Sequence, residues 1–407
     1  MGNKTGSIFD LATLKLIPRG IWTLGFVSMF MDISSEMIHA LLPVYLVTVL
    51  GTTAQTVGII EGIAEATASI TKVFSGALSD WLGKRKLLAA IGYGLAAFTK
   101  PVFPLATSAG WLVAARFVDR VGKGIRGAPR DALVADISPA DMRGASFGLR
   151  QSLDTVGAFT GPLLAVVLML AWSNDIKAVF WVAVIPAFLA MFLMIFGIDE
   201  PERNDTARAA KFPLHLSELK RLPPAYWYVV AVAVVFTLAR FSEAFLILRA
   251  TSAGVAAAYV PLVLVLMNVV YAGAAYPAGV LSDNGGRNRV MIIGLVLLIA
   301  ADLVLALVPG LVGIGLGVVL WGLHMAFSQG LFAALVTDTS PPELRGTAFG
   351  VYNLLTGLSL LAASVIAGSL WDTFGYSTTF LAGSAFAMLA LIGVVLVRGP
   401  ENLQSRA

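Results

Sequence analysis

Cysteine is absent from all 407 residues, and the three histidines, His39, His215 and His324, stand far apart. No disulfide framework, thiolate metal site or histidine cluster at ligand spacing can be built from such a chain, so no metal and no cofactor is expected. Charge is scarce as well. Charged residues make up 13% of the chain against 58% hydrophobic, with a mean hydropathy of +0.84, outside the range of ordinary soluble domains. No Gly-x-x-x-x-Gly-Lys loop is present to bind a nucleotide phosphate, which argues against direct drive by ATP. The first twenty residues lack the short apolar core and small-residue cleavage site of a signal peptide, so the first apolar segment is read as a retained span.

What the chain does have is long apolar runs. Twelve segments approach the roughly 20 residues that a membrane-spanning helix needs: 20–49, 57–78, 87–106, 110–136, 144–172, 177–198, 226–250, 257–280, 290–308, 311–338, 346–370 and 377–397. Continuous runs of this length fit helices, since barrel strands would alternate over about 10 residues. The expected fold is therefore an all-α polytopic membrane protein with twelve transmembrane helices. The long polar stretch after the sixth span divides it into an N-terminal half, 1–198, a cytoplasmic linker, 199–225, and a C-terminal half, 226–407. Within the linker, LHLSELKRL suggests a short amphipathic helix on the membrane surface. With both termini cytoplasmic, the cytoplasmic side takes seventeen Lys and Arg, and the opposite side takes only Lys100, Lys177 and Arg249, each near a helix end. That imbalance predicts cytoplasmic N and C termini. The net charge of +4 reflects this loop asymmetry and gives no reason to expect a nucleic-acid partner.

The two halves are copies of one unit. ALVADISPADMRGASFG at 132–148 returns as ALVTDTSPPELRGTAFG at 334–350, and GALSDWLGKRKLL at 76–88 as GVLSDNGGRNRVM at 279–291. A repeat of about 200 residues in an apolar chain is a common way to build a transporter, with the substrate site between the copies. The loop formed by Gly76, Asp80, Gly83, Lys84 and Arg85 resembles the signature loop of the major facilitator superfamily. Arg116 to Asp119 resembles its arginine motif, and Gly157, Gly161 and Pro162 resemble its antiporter motif. The resemblance spans essentially the whole chain. It implies two pseudo-symmetric six-helix halves, alternating access about a central site, a gating role for the loop, and export for the antiporter-like motif. In physical terms, Gly76 and Gly83 permit close approach and a tight turn, while Lys84 to Lys86 hold the loop at an anionic surface. Gly157, Gly161 and Pro162 allow a bend and close helix packing.

Span four is the sharpest signal. RFVDRVGKGIRGAPRDA at 116–132 places Arg116, Asp119, Arg120, Lys123, Arg126, Arg130 and Asp131 where the topology demands a membrane crossing. Each such group costs at least about 2.5 to 3.5 kcal/mol at the bilayer centre, so they must face the bundle interior or water. Asp119, Lys123, Arg126 and Arg130 follow helical spacing and are expected on one face. Gly122, Gly124, Gly127 and Pro129 are expected to bend or unwind the helix. The intramembrane cations of this half, Lys72, Arg116, Arg120, Lys123, Arg126, Arg130 and Arg150, are matched by the anions Asp32, Glu36, Glu61, Glu65, Asp119, Asp131 and Asp154. A neutral network suits carboxylates that gain and lose a proton as their cationic partners move. Asp32, near the middle of span one, and Glu36 are the first choices for proton carriers. Arg116 and Arg120 are their expected neighbours, and Asp119 and Asp154 belong to the same coupling set. Glu61, Glu65, Asp131 and Arg130 suit structural salt bridges at least as well.

The second half is quieter. At the repeat offset, the charges of span four meet uncharged counterparts, among them Val318, Trp321, Gly322 and Met325. Candidate substrate contacts are Lys123, Arg126 and Arg150 from the first half, with Arg240, Glu243, Asn268, Tyr271, His324 and Asn353 from the second. Arg240 and Glu243, three residues apart, suit mutual neutralisation equally well, and a lone His324 suits packing better than proton transfer. An enzyme is not expected, for want of a nucleophile, metal or acid–base set outside the charged bundle. The expectation is a proton-coupled secondary transporter, a monomer in a bacterial inner (cell) membrane, exporting a small organic or drug-like molecule. Uptake or exchange of an anionic metabolite is the alternative, with a lipid flippase behind it.

Overall fold

In the computed structural model, residues 16–139, 142–200, 216–285, 287–328, 331–341 and 344–396 are described. Among these there is no strand. The crossings are α1 (Arg19–Val44, widening to a π turn over Tyr45–Val49), α2 (Ala54–Leu82), α3 (Arg85–Thr99), α4 (Ala109–Ile137), α5 (Arg143–Ala171) and α6 (Ile176–Phe196). In the second half α7 comes in two pieces (Pro224–Ala239 and Ala244–Ser252), followed by α8 (Leu262–Gly285) and α9 (Arg287–Leu307). Next come α10, also in two pieces (Gly310–Ser328 and Leu331–Thr339), α11 (Arg345–Phe374) and α12 (Tyr376–Leu396). Ten of these crossings are long and apolar enough to span a membrane by composition alone. The other two, α2 and α4, have the length at 29 residues each but carry the charges singled out above.

The packing repeats with the sequence. In the first half α1 packs on α5 and α6, α4 on α2 and α3, and α3 on α6; in the second, α7 packs on α11 and α12, α10 on α8 and α9, and α9 on α12. Between the halves, α2 lies along α11 and α5 along α8. Of the linker segment LHLSELKRL, Leu214 and His215 lie outside the described residues, and Leu216–Arg221 forms one short 3-10 stretch.

Two expectations need correction. Span four is not unwound: α4 is continuous helix through Pro129. Its glycines serve close approach instead. A Cβ at Gly122 would stand 2.6 Å from the Gly92 carbonyl oxygen, and one at Gly124 would stand 2.5 Å from Thr71 Cβ and 2.9 Å from the Ala68 carbonyl oxygen. The irregular backbone lies in α7, between Ala239 and Ala244. Second, Lys100 and Arg249 stand at helix ends as expected but do not lie at the outer surface. Both are 1% exposed. Arg249 donates to the carbonyls of Leu305 and Val308 at 3.0 and 3.1 Å and covers the Tyr376 ring at 3.9 Å, because a guanidinium has enough donors to satisfy itself on helix-end carbonyls.

The halves are joined tightly at the end of the bundle that carries Gly51. The N–H groups of Ala54 and Gln55, at the start of α2, donate to the Asp372 carboxylate at 3.0 and 2.8 Å, and Gln55 Nε2 donates to Ser369 Oγ at 3.1 Å. A carboxylate from the other half thus satisfies two orphan donors at a helix N-terminus. Below it the backbones touch: a Cβ at Gly58 would collide with the Ser364 carbonyl oxygen, and one at Gly62 would lie 3.1 Å from that of Leu361. The larger buried apolar cluster, including Met37, Tyr45, Phe180, Phe245 and Trp321, belongs to both halves. Toward the end that carries Arg19, a second cluster, including Ile21, Leu24, Tyr93 and Met194, belongs to the first half alone.

Candidate functional site

A cavity of about 480 Å³ lies between the halves. From the first half it is lined by Glu36 and His39 of α1, Glu61 and Glu65 of α2, and Arg120 and Lys123 of α4. From the second, the α7 break supplies Arg240, Phe241, Ser242 and Glu243, beside Ser328, Phe332, Tyr352 and Leu360. Eight of its sixteen lining residues are Glu, His, Lys or Arg, so its wall is polar in an otherwise apolar bundle.

Parallel packing of α2 and α4 creates the main ladder. Glu61 and Glu65 are one turn apart, as are Arg116 and Arg120, so the two pairs meet as rungs: Arg116 Nη2 to Glu61 Oε2 at 2.8 Å and Arg120 Nη1 to Glu65 Oε1 at 3.2 Å. Ser75 Oγ donates to the Gly124 carbonyl at 2.9 Å and holds the helices together further along. Beside the arginines, Asp119 lies 3.8 Å from Arg120 Nε and takes a hydrogen bond from buried Lys100 at 2.9 Å, and Lys100 also donates to Ser35 Oγ at 3.0 Å. His39 Nδ1 lies 3.4 Å from Glu36 Oε2, and its Nε2 lies 3.9 Å from Glu61 Oε2. A continuous chain of charges therefore runs from Glu36 through His39 and Glu61 to Arg116. A separate group sits toward the Arg19 end, where Arg130 holds Asp131 and Ser28 at 3.1 Å and Arg150 holds Asp154 at 2.6 Å.

Arg120 shares the cavity wall with Glu36 as expected, but neither Arg116 nor Arg120 forms an ion pair with Asp32 or Glu36 among the described residues. Arg116 and Arg120 face α2 instead, and the span-four charges fan out to separate helices. Asp119 faces α3, Arg126 lies over the Tyr93 ring at 4.9 Å, Arg130 reaches α1, and only Lys123 and Arg120 reach the cavity. Close packing on both sides of α4 forces this, because its small residues bring α2 and α3 within reach of opposite faces. Asp32 is half-buried and makes no hydrogen bond or ion pair with any described residue. The antiporter-like glycines seat α5 against it: a Cβ at Gly157 would lie 3.0 Å from Asp32 Cβ, and one at Gly161 would lie 2.8 Å from Glu36 Cβ. Pro162 is buried inside α5.

Of the candidate substrate contacts, Lys123, Arg240 and Glu243 line the cavity, with Arg240 and Glu243 3.8 Å apart. Arg126, Arg150, Asn268, Tyr271, His324 and Asn353 do not. Asn268 instead donates across the halves to the Ala158 carbonyl at 3.4 Å, and His324 is buried with Nδ1 2.9 Å from the Gly294 carbonyl oxygen. Sequence reasoning missed the role of Lys100, which it placed near a helix end on the outer side, and His39, whose signal was its place three residues after Glu36.

In the signature-type loop, Gly83 ends α2 with φ of 66°. A Cβ in that left-handed conformation costs roughly 1–2 kcal/mol, so Gly83→Ala should lower the thermal stability of the purified protein by that amount and Gly83→Asn by less. Arg85 forms an ion pair with Asp136 and donates to the Ala132 carbonyl at 3.1 Å, which ties the loop to the repeated segment at the end of α4. Gly76 faces Ala128 of α4, and the Asp80 side chain lies outside the described residues.

Comparison with known proteins agrees with this architecture. The chain is 32% identical over 382 residues to an uncharacterised MFS-type transporter of Methanocaldococcus jannaschii, covering 92% of this chain and 94% of that one. It is 28% identical over 197 residues to the quinolone resistance protein NorA of Staphylococcus aureus, covering 48% of each. Among solved structures, the nucleoside transporter NupG superposes with a TM-score of 0.77 at 12% identity, covering 92% of this chain and 99% of that one. A bacterial homologue of the human lysosomal transporter Spinster does so with a TM-score of 0.71 at 14% identity, covering 95% and 96%. A family model described as Major Facilitator Superfamily matches residues 24–267 and 244–407, and the chain belongs to that superfamily of membrane transporters.

Proposed function

We propose that this transporter couples export of a small organic or drug-like molecule to proton entry, by alternating access of the central cavity. The carrying observation is the pair Asp32 and Glu36: one turn apart on α1, one without a bonded partner and one on the cavity wall, both seated against the antiporter-like glycines of α5. A carboxylate that is not committed to an ion pair can gain and lose a proton without dismantling the fold, unlike Glu61 or Asp119. The partial similarity to a quinolone resistance protein favours export. With the termini cytoplasmic, as the Lys and Arg bias suggests, the tightly joined Gly51 end faces outward and the described state opens inward. Lys123 and Arg240 on the cavity wall favour a second reading, uptake or exchange of an anionic metabolite.

The test is proton movement in proteoliposomes. Compounds that raise the melting temperature of the purified protein are added outside or loaded inside, and lumenal pH is followed. Antiport predicts that substrate and proton move in opposite directions; movement in the same direction supports the second reading, and no proton movement with any transported compound rejects coupling. The absence of native cysteine allows a second check. Gln55→Cys with Ser369→Cys, joined by a short bifunctional thiol reagent, should lock the Gly51 end shut and abolish transport, and a reducible reagent should allow its recovery.

A further inference from the structure

The helix packing repeats between the halves, and at buried positions their chemistry diverges. In the first half Gly92 of α3 meets Gly122 of α4, where a Cβ on Gly92 would lie 2.7 Å from the Gly122 carbonyl oxygen. At an offset of 202 residues the counterparts Gly294 and His324 also meet, at 2.9 Å. The same offset carries the Lys100–Asp119 ion pair onto Asp302 of α9 and Trp321 of α10. The first half thus buries a neutral pair, and the second buries a carboxyl group without its cation.

Asp302 is fully buried, and neither of its oxygens has a hydrogen-bond partner. Trp321, also fully buried, has an unused indole N–H. The charged and titratable groups on the elements around Asp302 are engaged elsewhere or stand apart. His324 is bonded to Gly294, Arg249 to the carbonyls of Leu305 and Val308 and stacked on Tyr376, and Arg240 lies against Glu243 on the cavity wall. Tyr271 makes no described bond to it. An isolated carboxylate is not held in so dry a place, so the group carries a proton.

Phe241 stands between Asp302 and the central cavity. A Cβ on Gly383 would stand 2.7 Å from Asp302 Oδ2 and 3.0 Å from Phe241 Cε1, so the carboxyl and the ring converge on one spot of α12. Phe241 also lines the central cavity, sits on the non-helical backbone of the α7 break, and packs its ring on Phe245, Trp321 and Phe380.

We propose that Asp302 is a proton-binding site of the second half, separated from the central cavity by Phe241. When Phe241 turns away, the carboxyl gives its proton to cavity water, and the ionised form can accept the Trp321 N–H. The site goes beyond the carriers placed in the first half and does not depend on the substrate.

Infrared spectroscopy of the full-length protein in liposomes reads that proton directly. At neutral pH the wild type should show the high-frequency carbonyl stretch of a carboxylic acid without hydrogen bonds, and Asp302→Asn, which mimics the neutral acid in shape, should lack it. Transfer to heavy water should shift this band slowly in the wild type and at least several-fold faster in Phe241→Ala, a comparison that leaves Asp302 in place if its own variant fails to fold. Absence of the band from the wild type, or its persistence in Asp302→Asn, overturns the site. Equal exchange rates in the wild type and Phe241→Ala overturn the gate.

Discussion

Arg116→Ala should cost about 3–5 kcal/mol and reduce the yield of folded, monodisperse protein more than any other single change among the span-four cations. Arg116 and Glu61 are each 1% exposed and bonded at 2.8 Å, so removal of the guanidinium strands a carboxylate in the bundle interior. His39, at 3.9 Å, is too long and too weakly placed to replace it. The double change Arg116→Met with Glu61→Gln should recover most of the loss, because the penalty comes from the orphaned charge and not from a missing attraction. Thermal unfolding of the purified proteins and size-exclusion profiles after detergent extraction measure both. If the single and double variants lose equally, the pair is not what holds α2 to α4. Lys123→Ala is the internal control: its side chain faces the cavity, and its removal should leave stability nearly unchanged.

Asp32→Asn should abolish transport driven by a pH gradient and leave substrate counterflow, which needs no net proton transfer. Asp32 has no bonded partner to lose, so the amide should fit the same space beside Gly157 with unchanged folded yield. Glu36→Gln should reduce coupled flux as well, and should also weaken the His39 contact at 3.4 Å. A structural carboxylate behaves in the opposite way: Asp119→Asn frees Lys100 from its charged partner and should depress yield before it alters the pH dependence of transport. Should Asp32→Asn retain full pH-driven flux while Asp119→Asn loses it at normal yield, the proton carrier has been assigned to the wrong helix.

Much of the architecture was legible because the lipid solvent constrains it strongly. Twelve apolar runs predicted the helices to within a few residues at most ends, α2 and α4 included in spite of their charge. The site was less legible. Helical spacing identified the rungs Glu61/Glu65 and Arg116/Arg120 within their own helices but did not say that the rungs face each other. Lys100 was misread for the same reason. A lysine near a span end reads as an outer charge, and the approach of Ser35 of α1 and Asp119 of α4 is what buries it.

By itself the sequence determined the fold class, the number of crossings and the division into two related halves, since these follow from run length, hydropathy and repetition, all properties of one chain read in order. The tertiary structure decided which charges are spent on each other and which remain free. That depends on small residues at particular crossings, Gly122 and Gly124 beneath the span-four charges and Gly157 and Gly161 beside Asp32 and Glu36, where a few ångströms of backbone approach determine whether a carboxylate meets a cation, a cavity or neither.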